Sequence, residues 1–130
     1  MMKKTLYITL FATAFSIVSC HENIEEKVAR ECKEYTEKYC PAPISNEVIN
    51  DSMVYEAGTR TVHYYYSLRG VADTAAIDPK QAREEMLEAV RNATNLKSYK
   101  EAGFNLQYTY YSTKHPGKKM FDLLFTPKDY

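Results

Sequence analysis

The chain has 130 residues, with 17 basic and 17 acidic side chains and a formal net charge of zero. That length holds one ordinary domain. An apolar fraction of 45% argues against disorder, and the lack of a basic excess argues against a nucleic-acid footprint.

The first 19 residues read as a secretory signal. Met1 to Lys4 is a basic start, and Thr5 to Val18 is an uncharged apolar run of 14 residues. The run is short of the roughly 20 residues a membrane span needs, but it suits a signal-peptide core. It ends in Ile17-Val18-Ser19-Cys20, which resembles the lipobox of bacterial lipoproteins. The resemblance implies cleavage before Cys20, lipid on its thiol and an acylated amine. More than one acyl chain gives stable attachment to a membrane. His21 follows, not the Asp that retains some lipoproteins in the inner membrane, so the resemblance implies the outer membrane. The acidic stretch Glu22 to Glu26 resembles a surface-export signal but equally suits the first turn of a helix. The domain therefore faces either the periplasm or the cell surface.

The boundaries expected are signal 1–19, tether 20–23 and one domain over 24–130. Loss of the signal removes Lys3 and Lys4 and leaves a net charge of −2. A first helix is predicted over Ile24–Tyr39, because Ile24, Val28, Cys32, Tyr35 and Tyr39 line one face. Pro41 and Pro43 stop it. Met53–Glu56 and Arg60–Leu68 form a predicted hairpin around Ala57-Gly58-Thr59. Asp78-Pro79-Lys80-Gln81 opens a second helix with a favoured N-cap, a favoured first residue and a capping-box partner in Gln81. Gly103 is its expected stop, after a short extra turn. Phe104–Ser112 and Lys119–Thr126 form a second predicted hairpin.

The predicted fold is α+β, a two-layer α-β-β-α-β-β domain with two helices packed on one face of a four-stranded sheet. If the two Tyr-rich strands are neighbours, the helix between them makes them parallel. Alternation assigns Val62, Tyr64, Tyr66, Leu68, Phe104, Leu106, Tyr108, Tyr110, Phe121, Leu123 and Phe125 to the core side. The other face then holds His63, Tyr65, Gln107, Tyr111, Met120 and Leu124. Two readings of that face stand. It is a surface for a protein or glycan of the envelope, since Tyr joins area to a polar tip. Or its Tyr residues only stabilise the sheet through cross-strand packing.

Once Cys20 is lipidated, Cys32 and Cys40 remain. Two residues eight apart in a helix are separated by about 12 Å at ~1.5 Å rise per residue, too far for a disulfide. They pair only if the helix ends near Glu37 and the chain folds back at Pro41; otherwise both stay thiols. A metal site built from Cys32, Cys40, His63 and His115 lacks the close-spaced pairs of structural zinc sites. No cofactor motif, nucleophile elbow or phosphate loop occurs.

The body resembles a group of small, uncharacterised exported bacterial proteins. The likeness rests on Tyr39-Cys40-Pro41, Asp51-Ser52, Val62-His63-Tyr64-Tyr65-Tyr66-Ser67-Leu68 and Gly103-Phe104-Asn105-Leu106-Gln107-Tyr108, over roughly residues 38–112. That group often carries a second Cys near the end of helix two, where this chain has Ala93 and Thr94. The group supplies no activity. The expected role is a non-enzymatic outer-membrane lipoprotein that binds an envelope component. The alternative is an inhibitor of a periplasmic or secreted lysozyme-like enzyme, using the Lys114–Lys119 turn. An uncharacterised enzyme comes third.

Overall fold

A computed structural model describes residues 23–130. The expected signal, Cys20 and most of the tether lie outside the described residues. Helix α1 runs Ile24–Tyr39, and the Asn23 side chain caps it by accepting from the Glu26 N–H at 2.8 Å. Strand β1 is Ala42–Pro43, β2 Val48–Glu56 and β3 Thr61–Leu68. A four-residue helix α2, Val71–Thr74, precedes α3, Pro79–Asn92. A 3₁₀ turn at Thr94–Leu96 leads into α4, Lys97–Glu101, and the chain ends in β4, Asn105–Ser112, and β5, Lys119–Phe125.

The sheet has five strands in the order β1-β2-β3-β4-β5, not four. The extra strand is the pair Ala42–Pro43, which lies antiparallel to Asn50 and Ile49. β2 also begins earlier than expected, at Val48. A bulge hides this start: Asn50 pairs with Tyr66 but Ser52 with Tyr65, so Asp51 is an extra residue and the alternation slips there. The two Tyr strands are parallel neighbours in register, Tyr64 beside Tyr108 and Tyr66 beside Tyr110.

The α3 start follows its local chemistry, since Asp78 accepts from the Lys80 N–H at 3.1 Å and Pro79 occupies the first turn. Gln81 does not complete a capping box; its amide donates to Glu85 instead. The long helices cover one sheet face. Val28 and Cys32 from α1 and Val90 from α3 join Val62, Phe104, Leu106, Tyr108, Leu123 and Phe125 in one core. Thr36 fixes α1 to β2, because its hydroxyl donates to the Met53 carbonyl and accepts from the Met53 N–H, each at 3.0 Å.

Gly103 ends α4 with φ of +75°, and a Cβ there would meet nothing within 4 Å. The cost of Gly103→Ala is then backbone strain alone, about 1–2 kcal/mol. A lower urea midpoint with an unchanged slope checks it. Gly58→Ala, also in open space but without a positive φ, should be close to neutral.

Candidate functional site

Of the six side chains expected on the second face, the strand register puts His63, Tyr65, Gln107, Tyr111 and Leu124 on one face. Val54, His63, Gln107 and Leu124 form one row across four strands. Tyr65 and Thr109 lie in the next row with Ser52 and Asp122. Tyr111 follows, and Met120 is the extra residue of a bulge between its strand neighbours, because Tyr110 pairs with Phe121 but Tyr111 with Lys119. Val54 and Leu124 are each 43% exposed, while Tyr65, Tyr111 and Met120 are half-buried. Among the described residues, the side-chain partners of this face come from the sheet itself.

His63 and Gln107 are on this face but not free on it. His63 is 7% exposed. Its Nδ1 donates to Glu56 Oε1 at 2.8 Å, and its Nε2 shares a 2.7 Å hydrogen bond with Thr109 Oγ1. The Thr109 hydroxyl donates to Asp122 Oδ1 at 2.9 Å, and the Gln107 amide donates to the same oxygen at 2.8 Å. Lys119 pairs with the other Asp122 oxygen at 3.4 Å. Burial pushes the Asp122 carboxyl up, but Gln107, Thr109 and Lys119 outweigh it and hold the group below the usual carboxylate range. The Tyr65 ring stacks on His63 with centroids 4.0 Å apart. The outer face is therefore a polar brace from β2 to β5, dressed by aromatic and aliphatic side chains.

Sequence reasoning did not find Glu56, Thr109 and Asp122. The first has a signal. With a turn at Ala57-Gly58-Thr59, Glu56 pairs with Thr61 and is a diagonal neighbour of His63. The other two become visible only once β3 and β4 are known to be parallel.

The Glu56–His63–Thr109 order is that of an acid, a base and a hydroxyl. Thr109 is 1% exposed and gives its proton to Asp122, so it presents no nucleophile to a substrate. Cys32 and Cys40 are free thiols. The helix continues through Tyr39 instead of ending near Glu37. Burial pushes the Cys32 thiol up to about 11. Among the described residues no three His, Cys, Asp or Glu side chains cluster in a way that could hold a metal ion. None of the described helices is long and apolar enough to cross a membrane.

Two solved structures share the fold. One is a protein of Pseudomonas aeruginosa taken to be secreted, with a TM-score of 0.64 at 12% identity over 84% of this chain and 98% of that one. The other is the type II secretion system pilotin AspS of Vibrio cholerae, with a TM-score of 0.60 at 13% identity over 82% of this chain and 91% of that one. No curated protein matches the sequence. A family model described as a domain of unknown function, DUF8479, matches residues 23–121, and the chain belongs to that family.

Proposed function

We propose that this is a non-enzymatic lipoprotein, held in the outer membrane through acylated Cys20, whose domain binds another envelope component with its outer sheet face. The observation that supports it most is the contrast between the two faces. The inner one carries the long helices and the core, while the outer one leaves Tyr65, Tyr111, Met120, Val54 and Leu124 partly exposed over a rigid polar brace. Rigid aromatic contacts lose little entropy on binding. The likeness to a type II secretion system pilotin favours a protein of an envelope export assembly over a glycan as the partner.

The test is crosslinking and capture of the lipidated full chain in its own cells, with surface proteolysis to assign the side it faces. Tyr65→Ser with Tyr111→Ser should abolish capture of the specific partner and weaken a purified complex at least tenfold. The stability loss should stay near 1–2 kcal/mol, the scale of lost aromatic contacts. Loss of stability with capture intact would leave the Tyr residues as sheet packing only.

The inhibitor reading rests on a different observation. The turn after β4 is braced at its base, where Asp73 accepts from the Lys114 N–H at 2.7 Å and Ser112 accepts from the His115 N–H at 2.9 Å. The Ser112 hydroxyl and the Lys114 N–H hold the Asp73 carboxyl below the usual range. Shortening the Lys114–Lys119 turn should abolish inhibition and spare a partner bound on the sheet face.

A further inference from the structure

On the opposite side of the sheet, a cavity of about 290 Å³ opens between α1, the segment after β1, and the 3₁₀ turn with α4. Tyr64 and Tyr66 form its floor, Tyr35 and Tyr99 its walls, and Ile44 and Asn95 its rim. None of its lining side chains carries a charge. The phenols of Tyr35, Tyr64 and Tyr66 have no hydrogen-bond partner among the described residues. The Tyr99 hydroxyl donates to Glu31 at 3.4 Å, which leaves its oxygen able to accept. The two floor rings are locked from behind. Tyr64 stacks on Tyr108 at 4.8 Å and 4°, and Tyr66 on Tyr110 at 4.7 Å and 13°.

These groups set the chemistry of a ligand. A phenol donates one hydrogen bond and accepts others, and an amide does both. Burial pushes Tyr64 and Tyr66 far up, so both stay neutral donors. An apolar guest would strand these polar groups, and an ion would find no countercharge. A neutral guest rich in hydroxyls matches donors with acceptors in both directions, with ring edges and Ile44 left for its apolar patches. The volume sits at the lower end of ordinary ligand pockets, which fits a sugar unit or two.

We propose that the Tyr35–Tyr64–Tyr66–Asn95 cavity is a binding site for a neutral saccharide. The site is separate from the outer face and does not depend on it. The test is a titration of the full chain in detergent, with tyrosine rings labelled for NMR. The probes are glucose, galactose, mannose, N-acetylglucosamine and its β-1,4 dimer, beside N-acetyl-trialanine amide as a peptide probe. At least one sugar should give saturable shifts of Tyr35, Tyr64 and Tyr66. Tyr66→Phe removes one hydroxyl and keeps the stack, and should weaken that sugar about tenfold. Asn95→Ala, at an exposed position, should weaken it severalfold with the fold untouched. Failure of every sugar to saturate, saturation by the peptide probe alone, or sugar binding indifferent to both substitutions would overturn the proposal.

Discussion

Phe104→Ala should destabilise the domain by about 3–5 kcal/mol, the range for removing a fully buried aromatic ring. Phe104 has no exposed surface. Its ring lies 5.3 Å from Tyr55 and 6.3 Å from Tyr99, and the Arg60 guanidinium sits over it at 5.0 Å. Its carbonyl accepts from the Tyr130 hydroxyl at 2.8 Å. The one ring thus joins β2, α4 and the β2–β3 turn, while the residue's backbone holds the C-terminus. Collapse into the gap is opposed by the backbone, since Gly103 fixes the turn before it and Asn105 is tied to the Arg60 carbonyl at 2.9 Å. A loss of this size is a large share of the 5–15 kcal/mol that holds a typical domain. Phe104→Leu, which keeps most of the volume, should cost less than about 1.5 kcal/mol. Urea unfolding followed by tyrosine fluorescence measures both. Equal costs for Ala and Leu would mean that ring edge contacts, not volume, set the energy.

The parts of the fold that were legible are those with local causes. The period of Val28 and Cys32 and the stop at Pro41 define α1, and Asp78-Pro79 defines the start of α3. The Tyr strands announce themselves by alternation, and their inner side chains Val62, Leu106 and Tyr108 are indeed buried. What was not legible has non-local causes. The strand expected from Met53 begins at Val48, because a bulge inserts Asp51 and breaks the alternation before it, and the two-residue β1 has no period to detect. Asn50 itself is buried because its amide donates to the Ser52 and Tyr65 carbonyls. His63 sits on the correct face, yet its burial depends on a residue 46 positions away. A face can be read from alternation; which of its polar groups are already spent cannot, because their partners are chosen by strand order.

That distinction gives the sharpest test of the outer face. Thr109→Val keeps the shape and β-branching of the residue and removes only the hydroxyl. His63 Nε2 then loses its partner at a position that is 7% exposed, and Asp122 keeps only Gln107 and Lys119. Leaving a buried polar group unpaired costs about 1–3 kcal/mol, more than a typical net hydrogen bond is worth. The expected loss is near the upper end, because the hydroxyl serves two partners at once. A cycle separates this from packing. In a His63→Phe background, the stranded ring nitrogen no longer exists, so Thr109→Val should cost about 1 kcal/mol less than it does alone. If the two costs are equal, the network contributes no coupling and the threonine acts only through Asp122. The same variant connects stability to recognition. Tyr65 is stacked on the imidazole, so a His63 ring released from Thr109 should let the Tyr65 ring reorient, visible as a shifted or broadened ring resonance. A binding face that needs its aromatics pre-set would then lose partner affinity through a residue that no partner can touch.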